Sequence, residues 1–348
     1  MDFTFSEDEC LLRDAAREFF ATEMTADRLR RIWEEGGGCD DRLWSALAEL
    51  GLPGILVPEE QGGLGLDEAG AVRVVEEAGY VALPESPLHA AWLAPFLLPT
   101  LGEEGRARWL PRLLSGEARI AVGIPGDLAV EDADRAHLVL LSEGDALFAL
   151  TAGSFRCEPR TSFDPGRRAF AVTPSIDPVC IGAEGARIAA ELLDRAAVLA
   201  AAYELGLARR ILDLAVEHAR QRCQFGRPVG SFQAVKHLLA DVAVRLQFAR
   251  PVVYRAAWVV AREAPRRALA VSHARLAAGQ AARLAARNGL QVFGAMGYTW
   301  ECDLQLYLKR VWSLAGRCGD EALHRRRVRQ ALLVGDTVPG AGDTFAEN

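Results

Sequence analysis

Apolar residues return at helical intervals from the first residues of the chain. Ser6-Glu7-Asp8-Glu9 has capping-box spacing, and Leu11, Leu12, Ala15, Phe19 and Phe20 follow three and four apart. This pattern predicts a helix from Ser6 to about Glu23. Further helical patterns run over 43–50, 68–78 and 87–101, punctuated by Gly51, Pro53, the Gly62-Gly63 pair and Pro84. The first third of the chain reads as helices and turns.

Near Ile120 the texture changes. Short apolar runs at 120–124, 138–141, 147–150 and 169–172 lie between Gly, Pro, Asp and Ser, as strands of a small sheet would. After Gly182 an alanine-rich helical period resumes over 186–222, 232–263 and 266–293, with breaks at Gly226-Arg227-Pro228 and Pro265. The predicted class is α+β and mostly helical: an N-terminal helical domain over 1–118, a small middle β domain over 119–183 and a C-terminal helical bundle over 184–348. Segregation of helices and strands excludes a doubly wound nucleotide fold. No repeat or low-complexity linker is present, and 340–348 reads as a frayed end.

Composition narrows the function. The 348 residues carry 47 acidic and 40 basic side chains, a net charge of -7, and Lys236 and Lys309 are the only lysines. No nucleic-acid footprint is expected. The one basic run, Arg325-Arg326-Arg327 with Arg329, reads as a solvated or inter-subunit helix face. Seven cysteines stand singly, which suits reduced thiols in a cytoplasm. The acidic start and the lack of any 18-residue apolar run predict neither export nor a membrane span. The six histidines show no ligand spacing, so no metal is predicted.

Two motifs carry the chemistry. The first runs from Arg222 to His237 and contains Arg222-x-x-Phe225-Gly226, a helix end, a Gly/Pro turn and a new helix. Read alone, Arg222 is a helix cap and Phe225 a core residue. About 60 residues later comes Gln291-Val292-Phe293-Gly294-Ala295-Met296-Gly297-Tyr298-Thr299-Trp300-Glu301. Together they closely resemble the paired signatures of the acyl-CoA dehydrogenases. The likeness covers the whole chain, including Gly51-Leu52-Pro53-Gly54 through Gly65 and Trp109-Leu110-Pro111.

The resemblance implies FAD shared between subunits. Its flavin would lie between the β domain and bundle of one chain, with pyrophosphate and adenine reaching a neighbour. It implies that Arg222, Phe225 and Gln233 serve the pyrophosphate side and that Gln291 and Gly294 lie near the adenine. A guanidinium offers a planar fork to phosphate oxygens, and glycine permits close backbone approach. Ala295 stands where the family usually has a second glycine.

The resemblance also implies α,β-desaturation of an acyl-CoA or other acyl thioester, with a glutamate removing the α-proton. Ungapped counting puts the two places that glutamate occupies in the family at Cys318 and Ala196, neither a carboxylate. Asp320 and Glu321 are the candidate replacements, with Glu204 and Asp194 nearby, and capping or ion pairing is the competing role for each. The β domain departs too: Ala121-Val122-Gly123-Ile124-Pro125-Gly126-Asp127 keeps only the proline of the family's flavin-binding loop. The implied assembly is a tetramer, either of this chain or with a related chain, the alternative reading being that this chain is a non-catalytic subunit that completes the partner's FAD site.

Overall fold

The computed structural model describes residues 4–143, 146–175, 179–180 and 184–333. The stretch read as a frayed end lies outside them. Helix α1 (Glu7–Glu23) starts at the predicted capping box: Ser6 Oγ accepts the Glu9 N–H at 3.2 Å and the Glu9 carboxylate accepts the Ser6 N–H at 2.7 Å. Thr25, Asp40 and Asp67 cap α2 (Ala26–Glu34), α3 (Asp41–Glu49) and α4 (Glu68–Tyr80) with a single side-chain oxygen each, which accepts the N–H of Arg28, Leu43 and Gly70.

The expected helix over 87–101 is instead three pieces, α5 (Glu85–Trp92), α6 (Ala94–Leu97) and a 3-10 turn at Leu98–Leu101. Pro95 and Pro99 cannot donate to the preceding turn and break it. α2 and α7 (Gly102–Leu114) escaped the periodicity, because each buries only three side chains, Leu29, Ile32 and Trp33 or Trp109, Leu110 and Leu113, among arginines and glutamates.

The middle region holds two small sheets. In one, β1 (Ile120–Gly123) runs parallel to β3 (Leu138–Glu143), which pairs antiparallel with β4 (Ala146–Thr151), and β7 (Val179–Cys180) closes the edge. In the other, β6 (Ala169–Pro174) lies between β2 (Val130–Glu131) and β5 (Phe155–Arg160). Ala121, Val139 and Leu150 of the first sheet pack on Val130 and Phe170 of the second. The charged β5 carries no apolar run, which is why the sequence pattern missed it.

The last part is helical. α8 (Gly185–Gln221) leads through a hairpin, β8 (Cys223–Gln224) and β9 (Arg227–Pro228), into α9 (Gln233–Ala261). Then follow α10 (Arg267–Phe293), α11 (Leu304–Leu314) and α12 (Glu321–Leu333). Buried alanines such as Ala197, Ala201 and Ala208 on α8 and Ala274, Ala278 and Ala282 on α10 let the helices approach closely.

Glycine is required where α4 crosses α8. A Cβ on Gly206 would collide with the Glu76 carbonyl, and one on Gly79 with the Tyr203 carbonyl. A single core therefore joins the first helices, β1, β3, β4 and the bundle.

Candidate functional site

The ends of α8 and α10 meet at one end of the bundle, where His218 stacks on Phe293 with ring centroids 4.1 Å apart. This contact brings the two sequence motifs together. Arg222 follows the last turn of α8: its N–H donates to the His218 carbonyl at 2.8 Å and its carbonyl accepts the Val229 N–H, closing the hairpin. Its side chain is exposed, as are those of Gln233, which opens α9, and Gln291, in the last turn of α10.

The hairpin turn is unusual. Phe225 and Gly226 are its two central residues, with φ of 55° and 77°, both left-handed. Such turns favour Asn-Gly, and a bulky aromatic there is strained. Phe225 is also 91% exposed, so no core contact offsets the strain. Its ring meets Phe232 edge-on at 6.1 Å, and Phe232 lies beneath the Arg227 guanidinium. Gly294 ends α10 at φ 60°, and a Cβ there or on Gly226 would meet nothing within 4 Å. One guanidinium, two carboxamides and open backbone beside two glycines suit a dinucleotide's phosphates and base edge.

In a crevice between α5, α8 and the end of α11, the structure brings together the two positions where a base is expected. Ala196 and Cys318 line one hollow of about 10 Å³ with Glu85, His89 and Tyr203. That is space for roughly one water, and far less than a bound ring system needs. Cys318 has φ 53°, and its N–H donates to Asp127 Oδ1 at 2.9 Å. Burial, reinforced by the Asp127 carboxylate, pushes its thiol well above the ordinary range, so it is no thiolate at neutral pH.

Beside the hollow stands a buried ion cluster that the sequence did not reveal. Arg317 pairs with Glu85 of α5, with Glu131 of β2 at 3.1 Å and with Asp127 at 3.4 Å. Arg167 makes a second pair with Glu131. Arg310 pairs with Asp164 and donates to the Tyr203 hydroxyl at 2.8 Å and the Leu83 carbonyl at 3.1 Å.

Burial would raise Glu85, but Arg317 and then Arg310 override it and hold the carboxyl far below its usual range. Glu85 is therefore a poor proton acceptor. Burial pushes Glu131 up to about 7 despite Arg317 and Arg167. His89 is driven down to about 3 by burial and by Arg317, so it is neutral. Among the described residues, a network of buried charge therefore stands beside the hollow. The hollow between Ala196 and Cys318 does not hold a flavin ring.

The remaining candidates have other partners. Asp320 Oδ1 accepts the Leu323 N–H at 2.7 Å and caps α12. Glu321 takes Arg325 and Arg283, each at 2.6 Å, and the Arg325 hydrogen bond holds its carboxyl below the usual value. Glu204 is buried against Arg275 at 2.5 Å, while Asp194 pairs with Arg267 and Arg327. None of these four acids lines the hollow. Among the described residues, no group of three or more His, Cys, Asp or Glu gathers to hold a metal, and no helix is long and apolar enough to cross a membrane.

Known proteins agree with this architecture. Residues 6–117 match the model for the acyl-CoA dehydrogenase N-terminal domain, and residues 183–333 match that for the acyl-CoA dehydrogenase C-terminal domain. The chain is 36% identical over 306 residues to acyl-CoA dehydrogenase IpdE2 of Mycobacterium tuberculosis, covering 87% of this chain and 91% of that one. It is 33% identical to its Mycolicibacterium smegmatis namesake, covering 94% and 100%. Among solved structures, glutaryl-coenzyme A dehydrogenase with glutaryl-CoA superposes with a TM-score of 0.86 at 22% identity, over 96% of this chain and 97% of that one. Butyryl-CoA dehydrogenase of Megasphaera elsdenii gives 0.86 at 22%, over 96% and 100%. The chain belongs to the acyl-CoA dehydrogenase family of flavin-dependent oxidoreductases.

Proposed function

We propose that this chain works in a tetramer with a related partner chain, and that the assembly carries out FAD-dependent α,β-desaturation of an acyl-CoA. In this reading, it holds the pyrophosphate and adenine of FAD, and the partner supplies flavin pocket and base. One observation carries it: Ala196 and Cys318 meet in a hollow of about 10 Å³ beside the Arg317 ion cluster, while the motif residues stand open at the bundle end.

Arg222 would present its fork to phosphate oxygens, Gly226 and Gly294 would admit close approach, and Gln233 and Gln291 would donate amide N–H groups. Phe225 would shield the arm from water. Bound FAD supplies the hydride-accepting ring. The exposed Val244 and Phe248, one turn apart on α9, suit the tetramer contact. The division at about residues 118 and 183 belongs to this reading. So does a cytoplasmic setting, supported by six free cysteines among the described residues.

The test is mass by light scattering with flavin counted per chain, on the chain alone and co-expressed with a related chain. A mixed tetramer with one FAD for every two chains is expected. A homotetramer with one FAD per chain that desaturates acyl-CoA overturns the proposal.

Asp320→Asn and Glu321→Gln test the competing assignment, because each removes a carboxylate from the loop region without changing its size. Both are expected to leave flavin reduction by acyl-CoA intact in stopped-flow traces. A catalytic base contributes about 10²–10⁴-fold, so a loss of that size with FAD retained makes the affected residue the base.

A further inference from the structure

We propose that the cleft enclosed by α1, α4, α8 and α9 binds a small organic phosphate. The cleft measures about 400 Å³, and Arg13, Arg17, Arg73, Arg209 and Arg250 line it together with Glu76 and Glu77. Five guanidinium groups face two carboxylates.

Both carboxylates are already committed. Glu77 lies between Arg17 at 2.8 Å and Arg209 at 2.5 Å. Glu76 takes Arg250 at 3.0 Å, Arg209 at 3.3 Å and the Tyr254 hydroxyl at 2.7 Å. Arg13 meets the neighbouring Asp14, whose side chain is half exposed.

Arg73 is left over. It lies over the Phe5 ring at 4.5 Å and donates to Cys10 Sγ at 3.3 Å, and no carboxylate of the described residues pairs with it. The Nε of Arg250 is buried with no hydrogen-bond partner. A guanidinium with no carboxylate partner among the described residues and a buried N–H without an acceptor both favour an anion with several oxygens.

A tetrahedral phosphate reaches several forks at different angles, where a planar carboxylate reaches one or two. The volume falls in the range of small-molecule pockets and exceeds what one phosphate fills. Phe5 and Tyr254, edge to face at 5.5 Å, give an apolar wall for the rest of the ligand. Arg209 lies thirteen residues before Arg222 on α8, about 20 Å along the helix axis. The cleft is therefore separate from the dinucleotide end, and its assignment does not depend on it.

The experiment is calorimetric titration of the full chain, saturated with FAD in its purified oligomeric state, with ADP and with inorganic phosphate. ADP is expected to bind, inorganic phosphate more weakly. Arg73→Gln and Arg250→Gln should each weaken ADP at least tenfold, Arg73→Gln with unchanged melting temperature, whereas a further excess of FAD should leave the ADP binding unchanged. Arg73 orphans no carboxylate of the described residues, so its variant keeps the test open if Arg250→Gln misfolds. The proposal is overturned if ADP gives no heat, if binding survives in the folded cleft variants, or if excess FAD displaces the ADP. Inorganic phosphate binding as tightly as ADP overturns the assignment of an organic ligand.

Discussion

Replacing Arg317 with methionine should lower the unfolding free energy by about 3–5 kcal/mol, because the change strands buried carboxylates. Glu85, Asp127 and Glu131 reach this one guanidinium from α5, a loop and β2. Without it Glu85 loses the largest cause of its lowered pKa, and each acid must protonate or draw in water. Denaturant unfolding measures the effect. Arg317→Lys should recover only part of it, since a point charge cannot serve three acids as a fork does. Arg283→Ala, which breaks a half-exposed pair with Glu321, should cost about 0–1 kcal/mol and is the control. Equal losses in the two variants would show that Arg317 is no hub.

The same cluster sets a pH dependence. Glu85 titrates below its unfolded value, so its contribution is present above the ordinary carboxylate range and is lost as pH falls through it. Glu131 titrates above its unfolded value, so its contribution is complete at low pH and fades as pH rises through about 7. Glu131→Gln should flatten the decline in stability on the neutral side and leave the acid side unchanged.

Arg222→Ala should weaken FAD binding by the assembly roughly ten- to a hundredfold, the worth of a charge-assisted contact of about 1.5–3 kcal/mol. In the chain itself the Arg222 side chain is exposed, so its loss should leave the fold intact. Fluorescence titration with FAD measures the affinity, and unchanged affinity would remove Arg222 from the site. Phe225→Asn separates function from structure. Asparagine suits the left-handed turn position that phenylalanine occupies under strain, so the variant should be no less stable and yet hold FAD more weakly. A loss of stability with unchanged FAD affinity would make Phe225 a packing residue.

Much of the fold was legible because its signals are local. The Ser6–Glu9 capping box, the alanine periodicity of α8 to α10 and the Gly226-Arg227-Pro228 break each act within a few residues. The dinucleotide end was legible for a related reason: its residues sit in two contiguous motifs, and the His218–Phe293 stack joins them. The crevice was not. Arg317 meets acids 186 to 232 positions away, and no spacing along the chain announces such pairs. The sequence did show what was missing there, at Ala196 and Cys318, but not that Arg317 and Glu85 stand beside the gap. Arginine-rich α2 and α7 were missed because a helix with three buried residues leaves a thin apolar stripe.

The crossing of α4 and α8 at Gly79 and Gly206 has a consequence for synthesis on the ribosome. These glycines are 127 positions apart, so at about 5–20 residues per second α4 emerges some 6–25 s before its partner helix is made. During that interval Val72, Val75 and Ala78, buried in the finished core, have no bundle to pack against. The nascent N-terminal helices thus expose apolar surface until α8 arrives, and α9 to α12 still have to be added after it.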